Sequence, residues 1–108
     1  MYQIIFCTCP NHEISENLAQ ELVSQKLAAC VNIIPSITSL YLWQGTIEKT
    51  QEHLLLIKSR KDKYKDIESS IKSLHPYEVP EIISVSIEGG LPEYLQWIDQ
   101  SIIDAHID

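Results

Sequence analysis

The run Leu54-Leu55-Leu56-Ile57 is apolar at four successive positions. In a strand, successive side chains point to opposite faces, so this run is apolar on both faces of any sheet that contains it. Leu40-Tyr41-Leu42-Trp43 and Ile82-Ile83 repeat the pattern. An antiparallel sheet with one wet face would alternate apolar with polar instead. A chain built this way has to cover its sheet twice.

The flanking segments supply the cover for one face. Ile4-Ile5-Phe6-Cys7-Thr8-Cys9 reads as a first buried strand, ended by Pro10-Asn11, with Asn11 as a helix N-cap. Ile14, Leu18, Leu22 and Ala29 recur at helical spacing, which predicts an amphipathic helix over about 12–28. Cys30 to Ile34 is the second strand. Pro35 cannot donate to a ladder, so a bulge or a sheet edge is expected there before the chain resumes as Ile37 to Trp43. Gly45 and the polar Glu48-Lys49-Thr50-Gln51 mark a turn, and Leu54 to Ser59 returns as the third strand of a long hairpin. Tyr64, Ile67, Ile71 and Leu74 form one face of a helix over about 61–74. His75-Pro76 stops it, because the residue before a proline is pushed out of the α region. Ile82 to Ile87 is the fourth strand, closed by Gly89-Gly90. Pro92 opens a last helix that carries Leu91, Leu95, Ile98 and Ile102. Residues 104–108 are expected to fray.

This order, βαββαβ plus a C-terminal helix, predicts an α+β, ferredoxin-like domain spanning 1–108. Two helices then cover one sheet face, and the short last helix covers only part of the other. The hairpin is longer than one small sheet needs. A closed homo-oligomer is therefore expected, with the hairpin shielding strand edges of a neighbouring subunit.

Composition excludes several classes of function. The chain has 15 acidic against 8 basic residues, a formal net charge of −7, which opposes nucleic-acid binding. Three cysteines and no signal-like start point to reduced thiols and a cytoplasmic setting. No apolar stretch approaches the ~20 residues of a membrane span. There is no GxSxG and no phosphate-cradling glycine loop. Acylphosphatases share the expected fold, but their arginine-bearing loop would fall at Thr8-Cys9-Pro10-Asn11-His12, where no arginine stands. RRM domains share it too, but need a basic surface with stacking aromatics. No catalytic constellation emerges, and the chain is not expected to be an enzyme.

The residues do contain candidate ligands. Cys7 and Cys9 lie at i and i+2 and project from one strand face, where both thiols can reach one soft ion such as Cu(I) or Zn(II). The competing reading is that they are small core hydrophobes. Copper chaperones of the same fold carry CxxC rather than CxC at this place. His75, after a helix and before a proline, is expected near the surface, either as a ligand or as a partner of the helix dipole. His12 lies near a helix start, His53 beside the hairpin turn and His106 in the tail, each without supporting company. Cys30 reads as inert in a buried strand. Lys58 and Glu81 are charges at the core margin, and Tyr41, Trp43 and Tyr77 can wall a cleft around them or cover a structural ion pair.

Three blocks, Leu27 to Pro35, Ser39 to Gly45 and His75-Pro76-Tyr77-Glu78-Val79-Pro80-Glu81-Ile82, closely resemble the CutA family, the divalent-cation tolerance proteins. The resemblance runs from about Ile4 to Ile102. It implies a ferredoxin-like homotrimer held by sheet edges and the long hairpin, with no enzymatic activity established for the family. It also implies binding of copper or another divalent cation, none of them obligatory. Animal relatives are linked to anchoring of acetylcholinesterase. The subunit also resembles the PII signalling trimers, which makes a regulatory or scaffold trimer with a small ligand in its cleft the rival role. Residue by residue, Cys7 matches the cysteine of the bacterial copper site and His75 the second of two adjacent histidines before Pro-Tyr. Leu74 stands where the first would be, and Cys9 is the available substitute. Trp43, Lys58, Tyr77 and Glu81 match positions that line the inter-subunit cleft.

Overall fold

The computed structural model describes residues 1–102. The expected fraying of 104–108, and His106 with it, lies outside that range. Strand β1 (Tyr2–Cys9) leads into helix α1 (His12–Ser24). Pro10 cannot continue the ladder, and the Asn11 side chain accepts the Ile14 N–H at 2.9 Å, the N-cap bond expected of it. Ser15, Leu18 and Leu22 form the buried stripe of α1.

The helix stops at Ser24, four residues before the expected end. Lys26 takes φ +59°, its N–H bonds the Val23 carbonyl, and the Leu27 N–H bonds the Leu22 carbonyl. These are the two bonds of a Schellman cap, formed here without glycine. Leu27 then packs against the core that holds Leu22, and this contact offsets the strain of a left-handed lysine.

β2 (Cys30–Trp43) and β3 (Thr46–Arg60) form the hairpin. Only Gln44 and Gly45 separate them, at φ +50° and +81°, and two successive positive angles are what a tight type I′ connection requires. Glu48 to Gln51 are therefore strand and not turn, and His53 lies well inside β3 instead of beside the bend. The pairing register shifts between Ile34 and Ile37, where Pro35 offers no N–H and Ser36 takes φ +58°. That is the bulge the proline predicts, on an edge strand.

A 3₁₀ turn (Lys61–Lys63) runs into helix α2 (Tyr64–Leu74), which buries Ile67 and Ile71. His75 caps it: its backbone is extended (ψ 136°), while its N–H still bonds the Ile71 carbonyl at 2.8 Å. Pro76 imposes that change of direction. β4 (Ile83–Ile87) and helix α3 (Pro92–Ser101) complete the described chain.

The sheet is antiparallel throughout, in the order β2-β3-β1-β4. This is the ferredoxin-like arrangement. Alternation along the central strands decides which side chain goes where. Ile5, Cys7, Cys9, Leu55 and Ile57 face α1 and α2 in the main core. Tyr2, with Ala29, Leu95, Ile98 and Ile102, packs α3 against the opposite face.

α3 covers only one end of that opposite face. Ile83 is 56% exposed and Val85 48%. Beyond Glu52 the hairpin pairs only with itself, as a two-stranded arm, and carries Leu40, Leu42, Trp43 and Ile47 at 59–72% exposure. A lone two-stranded ribbon is marginal in water. Both features follow from strands that are apolar on both faces.

Ile57 sits at the centre of the main core with no exposed surface. Ile57→Ala is expected to cost about 2–5 kcal/mol, the usual range for emptying a rigid core position. Urea unfolding followed by circular dichroism measures this. A midpoint unchanged from wild type would show that the position is not in the core.

Candidate metal site and adjoining cleft

The end of β1 carries chemistry on both sides. Cys7 and Cys9 point into the helix-covered face and are fully buried, and Thr8 points to the other. The turn that ends α2 returns His75 to the same place. The Sγ atoms of Cys7 and Cys9 and a ring nitrogen of His75 all lie within 4.8 Å of one another. His75 was expected near the surface but is 7% exposed, because the cap folds its ring back under the end of β1.

The His75 ring is held at both nitrogens. Nδ1 accepts the Tyr77 N–H at 3.1 Å, which leaves Nε2 to donate to the Thr8 carbonyl at 2.7 Å. Pro76 fits between these contacts, since the bonds it spans need an extended approach. An ion at either nitrogen has to displace one of the two hydrogen bonds. The thiols form a coupled pair. A hydrogen bond from Cys7 to Cys9, reinforced by burial, pushes the Cys7 thiol well up. The same hydrogen bond draws Cys9 down, against its own burial. The pair therefore releases one proton more readily than two.

Two thiolates and one imidazole suit a soft ion such as Cu(I), and Zn(II) accepts the same donors. Leu74, immediately before His75, is 45% exposed and offers no donor. Cys9 takes its place in the cluster by facing the same way as Cys7. Cys30 is only partly buried and takes no part in it.

Across the sheet, Thr8, Tyr41, Trp43, Glu48, Glu52, Tyr77, Glu78, Val79 and Glu81 line a cleft of about 560 Å³ that runs along the hairpin arm. Trp43, Tyr77 and Glu81 are thus brought together within one chain. Lys58 does not line this cleft of the single chain. It stands six residues along β3 from Glu52, roughly 20 Å away at strand rise, with its ammonium 5.8 Å from the Tyr94 ring centre. Glu52 was absent from the sequence reading. It is 8% exposed and accepts the Tyr77 hydroxyl at 2.9 Å. A strand assignment that rests on apolar residues fails on this arm, which has solvent on both sides.

Partial burial, then the hydrogen bond to the Glu52 carboxylate, pushes the Tyr77 phenol up to about 12. Burial and the Glu52 charge also raise Glu81 above the ordinary carboxylate range.

A sequence model of the family described as CutA1 divalent ion tolerance protein matches residues 3–101. The chain belongs to the CutA family. It is 50% identical over 93 residues to the protein CutA homolog of Xenopus laevis, an alignment that covers 86% of this chain and 62% of that one. The chain thus spans less than two thirds of that relative's length. It is 42% identical over 101 residues to the divalent-cation tolerance protein CutA of Thermus thermophilus, covering 94% of this chain and 98% of that one. A solved structure from Archaeoglobus fulgidus, described as the periplasmic divalent cation tolerance protein CutA, matches with a TM-score of 0.92 at 40% identity. That match covers 95% of this chain and 100% of the other. The CutA fold is therefore carried here with a Cys-Cys-His cluster at the end of β1.

The neutral Tyr77 phenol is the form that donates to Glu52. Its folded pKa is raised, so the bond contributes fully below pH ~10 and is lost as pH climbs through about 12. Spectrophotometric titration of wild type should show a tyrosine ionising near that value, and Tyr77→Phe should remove it. Glu52→Gln should bring it part of the way back, since burial remains. An unchanged titration curve in Tyr77→Phe would refute the assignment.

Proposed function

We propose that this chain is a homotrimeric, cytoplasmic, non-enzymatic protein that binds copper or another divalent cation and contributes to metal tolerance. The convergence of Cys7, Cys9 and His75 within 4.8 Å carries the reading. Membership of a family described by divalent-ion tolerance supports it. Cys7, Cys9 and His75 would hold the ion. Its chemistry there is that of a soft cation neutralising thiolate charge. Binding has to displace the thiol protons and one His75 hydrogen bond, so affinity should rise with pH. No described helix is long and apolar enough to cross a membrane.

The exposed sheet face and hairpin arm support the assembly. Three copies of a 12.4 kDa chain are expected in solution, and light scattering that returned the mass of one chain would sink the trimer. For the metal, titration of reduced protein with Cu(I) under a competing chelator is the direct test. Cys7→Ser, Cys9→Ser and His75→Ala should each weaken binding by at least about tenfold, or ~1.4 kcal/mol. If all three variants bind as wild type does, the ion is elsewhere.

A second reading is favoured by the cleft. Glu52 is a buried carboxylate with a tyrosine hydroxyl on it, beside aromatic walls and Glu81. A regulatory or scaffold trimer could use it for a small ligand or partner, as in the PII-like alternative. A metabolite that raises the melting temperature by mass action would support that role, and metals as the only hits would count against it.

A further inference from the structure

Among the described residues, one buried side-chain nitrogen or oxygen has no hydrogen-bond partner: Nδ1 of His53. Buried polar atoms are nearly always satisfied, so an orphan calls for a physical account. His53 pairs with Cys9 in the β1–β3 register and so shares its sheet face. Above it stands His12, the first residue of α1, whose ring centre lies 5.9 Å from that of His53. His12 is exposed, and its Nε2 meets the Glu16 carboxylate at 2.7 Å, one helical turn on.

We propose that His12 and His53 form a second, outer cation site, separate from the buried thiols, for a borderline divalent ion that takes imidazole ligands. Three observations converge on it. The bond to Glu16 places the His12 proton on Nε2 and leaves Nδ1 as the ligand atom, with the carboxylate in the supporting role that metal-bound histidines commonly have. The orphaned Nδ1 of His53 is the second donor. Two imidazoles on one ion, each nitrogen about 2.0–2.1 Å from it, set their ring centres roughly 5–6 Å apart, and the observed separation falls in that range. Solvent at the exposed His12 side completes the coordination. Because His53 adjoins Cys9, the site also lies on a line from solvent to the buried cluster.

Zn(II) is the probe, and Cys7→Ser/Cys9→Ser, which lacks both buried thiols, is the background. Calorimetry should find Zn(II) still bound, and either His12→Ala or His53→Phe should weaken it at least about tenfold. Glu16→Gln should weaken it less. His53→Phe removes the orphaned atom, so its melting temperature should not fall. The proposal is overturned if the double serine background binds no Zn(II), or if binding survives loss of both histidines. If that background does not fold, wild-type protein serves instead. Sub-stoichiometric Ni(II) should broaden the ring signals of His12 and His53 in proton NMR, and broadening confined to other residues would overturn the site. Failure of wild type to bind Cu(I) would remove the buried site and leave this one standing.

Discussion

Much of this molecule depends on the ladder between β1 and β3. Its register runs from Tyr2 opposite Arg60 to Cys9 opposite His53. Because side chains alternate, that single register sends Ile5, Cys7, Cys9, Leu55 and Ile57 into the helix-covered core and turns Thr8 and Glu52 to the cleft. A slip of β1 by one residue would turn Thr8 into the helix-covered core and take both thiols out of it. The core strands are nearly continuous in apolar residues and tolerate either face. The polar residues are what make the register unique: a buried Glu52 is acceptable only where the Tyr77 hydroxyl meets it.

His75 ties the two faces together. Its backbone ends α2, its ring lies with the thiols, and its nitrogens hold the Thr8 carbonyl and the Tyr77 N–H. Thr8 and Tyr77 also line the cleft. An ion that displaces either hydrogen bond therefore releases a group that shapes the opposite side of the sheet. The proline after His75 keeps the linkage short, since it removes helical continuation as an alternative.

The hairpin arm shows the same economy at a larger scale. Tyr41, Trp43, Glu48 and Glu52 face the cleft along the arm from its root to its tip, and Leu40, Leu42 and Ile47 are left exposed. One element thus walls a pocket and presents an apolar surface. Its apolar residues find no cover among the described residues, which is the physical basis for the proposed assembly.

The sequence by itself determined the element order, the bulge at Pro35, the cap at Asn11, the stop at His75-Pro76 and the pairing of Cys7 with Cys9 on one face. Each of these follows from local chemistry: a missing N–H, a short side-chain acceptor, or the two-residue repeat of a strand. The CutA-like blocks were legible for the same reason, being contiguous in the chain. Only the tertiary structure decided the rest. It ended α1 at Ser24, because a packing contact of Leu27 outweighs the conformational cost of a left-handed Lys26. It extended β3 back to Thr46, because ladder bonds hold a polar strand that has no apolar face to announce it. It buried His75, set Lys58 on Tyr94 away from the cleft, and placed His53 under His12 beside Cys9. These are distances between residues far apart in sequence, and they depend on strand register and helix seating, which no local pattern encodes.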